Sequence, residues 1–114
     1  MSLVQDGLRA FAGGAAAACI LYAAMAASAA PAETRVSIDN FVFKADSITV
    51  RAGTTVVWEN DDDIAHTVVA TDGAFRSQAL DTDDKFSFTF ATPGTFDYFC
   101  SLHPRMTGQV VVTP

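Results

Sequence analysis

Phe86, Phe88 and Phe90 alternate with Ser87 and Thr89, and this period of two constrains the fold more than any other feature of the chain. Side chains of a β-strand point to opposite faces in turn, so such a run buries one face only as a strand. Other runs repeat the pattern. Val36 and Ile38 alternate with polar neighbours, Phe41 and Phe43 follow at the same spacing, and Ile48 and Val50 come after them. Residues 54–58 are a β-branched run ending in Trp58, and residues 66–71, 95–100 and 109–113 are also rich in strand-favouring types. Ala52-Gly53, Asp72-Gly73 and Pro93-Gly94 separate these runs with turn residues. No window beyond residue 30 carries a helical period. Seven or eight short strands at turn-bounded intervals predict a single all-β domain, a Greek-key sandwich.

Residues 1–29 read differently. Arg9 lies in a short polar start, residues 11–27 are apolar or small, and Ala27-Ser28-Ala29 forms a small-residue cleavage site. This layout predicts a signal peptide over 1–29 and a mature domain over 30–114. The stretch 11–30 is also just long enough to span a bilayer uncleaved, which would leave the domain membrane-anchored, although its Ala and Gly content weakens that reading. Cys19 follows Ala16-Ala17-Ala18, but the apolar run continues past it through Ile20, Leu21 and Tyr22, which argues against a lipid attachment site. Each reading places the folded domain outside the cytoplasm, in a periplasm. Asp6 and Arg9 cancel, so the net charge of −6 is also that of the mature part. Such an acidic domain disfavours nucleic acid and suits basic partner surfaces.

With the signal removed, Cys100 is the one remaining cysteine. Oxidising compartments favour disulfides, so a lone exported thiol implies burial, dimerisation or metal ligation. Its neighbourhood favours ligation. Cys100, His103 and Met106 recur at every third residue, and His66 is the other histidine. If Cys100 ends one strand and Gln109 opens the next, the loop between them can turn all three donors inward, and His66 from a neighbouring strand completes the set. A thiolate, two imidazoles and a thioether select copper, with the two His and the Cys in a trigonal plane and Met as a long, weak axial ligand. Zinc also takes Cys and His, but a thioether is a poor zinc ligand. An immunoglobulin-like domain shares the Tyr98-x-Cys100 pattern and a tryptophan, Trp58, yet would need an earlier cysteine for its intersheet disulfide. Tyr98 reads as a tyrosine corner. The run Asp61-Asp62-Asp63, with Asp81, Asp83 and Asp84, reads as a solvated loop face that at most steers a basic partner.

The run Asp97-Tyr98-Phe99-Cys100-Ser101-Leu102-His103-Pro104-Arg105-Met106-Thr107-Gly108-Gln109-Val110-Val111-Val112 resembles the ligand region of the blue-copper proteins, the cupredoxins. Within them, Cys-x-x-His-x-x-Met is similar to the short ligand loop of the amicyanin type. Ala65-His66-Thr67, Ala52-Gly53-Thr54-Thr55-Val56-Val57-Trp58 and Thr92-Pro93-Gly94-Thr95-Phe96 fit the same pattern, so the resemblance spans residues 40–113. It implies a cupredoxin-like sandwich holding one type 1 copper ion on His66, Cys100, His103 and Met106. The implied function is electron carriage rather than enzymatic catalysis, with copper trafficking or storage as the alternative. His103 would be exposed in an apolar electron-transfer surface with Leu102, Pro104 and Ala65. The implied partners are redox proteins, an amine dehydrogenase and a c-type cytochrome among them, and the implied state is a monomer. Thr67 stands where members often carry an Asn that braces the ligand loop. Its hydroxyl can instead reach a backbone carbonyl or Ser101. The short mature N-terminus suggests that a first edge strand is trimmed.

Overall fold

The computed structural model describes residues 32–114, and the expected signal segment lies outside them. The described residues form eight strands and no helix: β1 (Glu33–Asp39), β2 (Val42–Lys44), β3 (Ser47–Arg51), β4 (Thr54–Asn60), β5 (Val69–Ala70), β6 (Lys85–Phe90), β7 (Gly94–Cys100) and β8 (His103–Thr113). One sheet has the order β2-β1-β4-β6 and the other β3-β8-β7-β5. The chain changes sheet at every connection from β2 to β7, which produces the crossing connections of a Greek-key sandwich. Two pairings are parallel, β1 with β4 and β3 with β8.

β1 is not an edge strand. It lies between β2 and β4, and Val36 pairs with Trp58. Val36 and Ile38 are completely buried against the other sheet, and pairing on both sides leaves no row of backbone N–H and C=O groups open to other chains. The alternation in β6 has the expected form. Phe90 is buried and Phe86 and Phe88 are half-buried, with the polar residues between them exposed.

The core sits between the sheets around Trp58 and Tyr98, both essentially inaccessible. Their rings meet edge-on with centroids 5.3 Å apart, and Phe75 packs 5.7 Å from Trp58. Full burial of large apolar side chains such as Phe90 stabilises by about 1.5–3 kcal/mol each. Tyr98 is not a tyrosine corner. Its hydroxyl is buried without a hydrogen-bond partner, as is Trp58 Nε1. Burial pushes the phenol up to about 12. The ring packs on Phe43 at 4.7 Å and across Gly108, where any Cβ would run into the ring and the hydroxyl. Glycine at 108 permits that close approach.

Two departures from the strand expectations shape the functional end of the sandwich. Phe41 does not share a face with Phe43. Asn40 and Phe41 form the β1–β2 turn, both left-handed, with φ of 54° and 61°. Phe43 therefore points into the core while Phe41 stays 46% exposed. The expected loop over 101–108 is also mostly strand. Cys100 pairs with His103 across a two-residue turn, and pairing resumes at Phe99 with Thr107. Residues 104–106 thus form a bulge in β8. Pro104 has no N–H to give a ladder, which favours a break in pairing there.

Candidate metal centre

The bulge aims the side chains. Pro104 and Arg105 face outward, whereas Met106 is buried and belongs to the same core cluster as Cys100. Cys100, at the end of β7, is wholly inaccessible, and His103, the first residue of β8, is half-buried. His66 lies outside the named strands. An isolated bridge to Leu80 holds it, with backbone hydrogen bonds in both directions at 3.1 and 2.7 Å. The expected strand neighbour is therefore a pinned loop residue, and it is completely buried.

These elements bring the donors together. Nδ1 of His103 lies 3.5 Å from Cys100 Sγ, and Nδ1 of His66 lies 3.8 Å from it. The ligand atoms of His66, Cys100 and His103 all lie within 4.8 Å of one another. A soft sulfur and two imidazole nitrogens, with the Met106 thioether in the same cluster, fit copper in either oxidation state.

Thr67 supplies the brace that the sequence left open. Its N–H donates to Cys100 Sγ at 3.3 Å. Its hydroxyl accepts from the Ser101 N–H at 2.7 Å and lies 2.8 Å from Ser101 Oγ. One side chain therefore ties the His66 segment to the turn after Cys100, and the bond goes to Ser101 rather than to a backbone carbonyl. Burial by itself would push the Cys100 thiol up. The Thr67 N–H, contacts with both imidazoles and the Leu102 N–H outweigh it and lower the pKa from 9.0 to about 6.

Two participants went unrecognised in the sequence. Asp62, read as part of a solvated acidic face, is buried, and its Oδ2 lies 3.0 Å from His66 Nε2. This contact with His66 holds its carboxyl below the usual range, against the opposing effect of burial. The four-residue spacing from Asp62 to His66 was the signal available. Asn60 shapes the intervening loop: its Nδ2 donates to the Ile64 and Leu80 carbonyls at 2.9 and 2.8 Å, and its Oδ1 accepts from the Asp62 N–H at 2.9 Å. Phe41 is the other. Its ring stands edge-on to His103 at 4.8 Å and to His66 at 5.5 Å. Its sequence offered only an aromatic after Asn40, which looked like the continuation of a strand.

At the surface, Leu102, Ile64, Phe41 and Val42 are exposed apolar side chains. Ala65 is half-buried, and Pro104 is exposed beside His103. Of the remaining aspartates, Asp61, Asp63, Asp81, Asp83 and Asp84 are exposed as expected.

A sequence profile of the cupredoxin-like domain matches residues 13–112. The chain is 36% identical over 104 residues to amicyanin-alpha of Methylorubrum extorquens, covering 86% of this chain and 87% of that protein. It is 35% identical over 94 residues to the amicyanin of Paracoccus versutus, covering 77% and 71%. Among solved structures, the Cu(I) form of an amicyanin variant superposes with a TM-score of 0.68 at 32% identity, covering 76% of this chain and 88% of that one.

Proposed function

The chain belongs to the cupredoxin-like family, and on that premise we propose how it carries electrons: as a type 1 copper protein whose ligands are His66, Cys100, His103 and Met106. The observation that carries this reading is the convergence of the three nitrogen and sulfur donors on one point, with Met106 buried beside them. Copper bound there would supply a one-electron couple between Cu(II) and Cu(I).

The protein's own residues do the rest. Cys100, completely buried and hydrogen-bonded by Thr67, offers a thiolate shielded from water. Asp62 and the Leu80 bridge fix His66, and the Thr67–Ser101 bonds fix the turn that leads to His103. Donors held this firmly do not rearrange when the charge on the site changes, which keeps electron transfer fast. His103 is half-buried while His66 and Cys100 are inaccessible. Its ring edge, among Leu102, Pro104 and Ala65, is therefore the shortest route between a docked partner and the site.

The same burial disfavours trafficking or storage, which calls for donors that give up the ion readily. Adding Cu(II) to the protein is expected to produce an intense thiolate-to-copper charge-transfer colour. Cys100→Ser abolishes it, and voltammetry shows a reversible couple with copper retained in both states. A pale complex in the wild-type protein, or rapid loss of Cu(I) to a weak chelator, would sink the carrier reading.

The likeness to amicyanins supports a carrier rather than an enzyme and redox proteins as partners, while the apolar start and its small-residue cleavage site support export to a periplasm after removal of residues 1–29. We take an amine dehydrogenase and a c-type cytochrome as the specific candidates. Capture of partners on the copper-loaded protein from a periplasmic extract tests that choice.

A further inference from the structure

Among the described residues, Phe41 is the large aromatic side chain that the core leaves exposed. It stands at the tip of the β1–β2 turn with φ of 61°, directly after Asn40 at 54°. Asn tolerates that region through its short polar side chain, but a bulky residue there is strained. Such a conformation persists only where the surroundings hold it, and it clusters at functional sites. Here the surroundings are specific. The Phe41 N–H donates to Asp62 Oδ2 at 3.2 Å, the same oxygen that lies 3.0 Å from His66 Nε2. The Phe41 ring is perpendicular to both imidazoles, at 89° to His103 and 88° to His66, and the imidazoles are themselves 4.9 Å apart. A single turn residue is thus fastened through its backbone to the carboxylate behind one histidine and sets its ring perpendicular to both. The ring also lines an open hollow of about 650 Å³ with Leu102, His103 and Met106.

We propose that Phe41 is a positioning residue that closes this end of the metal site, holding His103 in place and keeping water and small anions away from the metal. The proposal rests on the copper reading above. Edge-to-face ring contacts are favourable because the positive rim of one ring meets the negative face of the other. His103 is the half-buried member of the donor set, so it is the one free to swing outward into the hollow beside it. Phe41 removes that freedom without touching the metal.

The test compares wild type, Phe41→Leu and Phe41→Gly, each loaded with copper. Glycine adopts the left-handed turn without strain, so that variant deletes the ring and relaxes the backbone. Leucine keeps apolar bulk but loses the aromatic edge. Transfer of Cu(I) to excess bathocuproine disulfonate is expected to be about tenfold faster in the glycine variant and intermediate in the leucine variant, the scale on which supporting contacts to a ligand act. Titration of the Cu(II) forms with azide is expected to change the spectrum of the glycine variant and not that of wild type. Release at the wild-type rate in both variants overturns the proposal. Faster release with azide still excluded also overturns it, because it reduces Phe41 to a purely structural part. If thermal unfolding shows that the glycine variant does not fold, the leucine variant decides alone. A wild-type protein that takes up no copper sinks the copper reading itself, an outcome distinct from a loaded protein indifferent to Phe41.

Discussion

Asp62 Oδ2 lies 3.0 Å from His66 Nε2 on the side of the ring opposite Cys100. A carboxylate in that place accepts from Nε2 and fixes the orientation of the ring, with Nδ1 on the side of the sulfur. Asp62→Ala is expected to weaken copper binding by about 10–100-fold. Asp62→Asn retains an acceptor oxygen and costs less. Competition with a copper chelator of known affinity measures both. Equal affinity in wild type and the alanine variant would show that the contact does not orient the ring.

The Thr67 hydroxyl bonds to Ser101 N–H and Oγ and also donates to Cys100 Sγ at 3.7 Å, while the Thr67 N–H makes the shorter bond to the sulfur at 3.3 Å. Substitutions of the side chain leave the N–H bond in place. Thr67→Val keeps the shape and the N–H but leaves the Ser101 N–H without its partner. The expected loss is about 1 kcal/mol of stability, read from denaturant unfolding of the metal-free protein, with the charge-transfer colour retained. Thr67→Ser restores the hydroxyl and is expected to recover most of that loss.

Cys100 ties stability to pH in the metal-free protein. Its pKa falls from 9.0 to about 6 on folding, so the unfolded chain binds the thiol proton more tightly. Ionisation of this group therefore stabilises the fold fully above pH 9. The contribution shrinks between 9 and about 6 and is lost as pH falls through the folded value. Copper must also displace that proton below about 6, so uptake weakens there. Urea unfolding of the metal-free protein across this range is expected to show the rise, and Cys100→Ser to remove it.

Gly108 and Tyr98 make an asymmetric pair. Gly108→Ala forces a Cβ into the tyrosine ring, and overpacking of this kind costs about 1–3 kcal/mol. Tyr98→Phe removes a hydroxyl that has no partner and is expected to be neutral or mildly stabilising, since an unpaired buried polar group costs about 1–3 kcal/mol. Thermal unfolding of the two variants checks both directions.

What the sequence made legible followed from local rules. Alternation at Phe86, Phe88 and Phe90 and the spacing of Cys100, His103 and Met106 both lie within short windows, so strand period and ligand chemistry exposed them. Asp62 and Phe41 escaped because their roles depend on loop and turn conformations that no periodicity signals. Asp62 sits in a run of three aspartates that looks solvated until Asn60 curls the loop inward. Phe41 sits at the period of a strand until two left-handed residues turn it out. The extent of β8 is hidden for a related reason. A bulge holds residues 104–106, so what reads as a loop by composition is a strand interrupted by its own ligands.

β8 carries His103 and Met106 at its start, and it is also the strand that locks between β7 and β3, antiparallel to one and parallel to the other. Cys100 ends the strand that β8 pairs with, and His66 comes from a separate loop. The full donor set is therefore assembled only when β8 seats against β7, and the appearance of the charge-transfer colour would report that pairing.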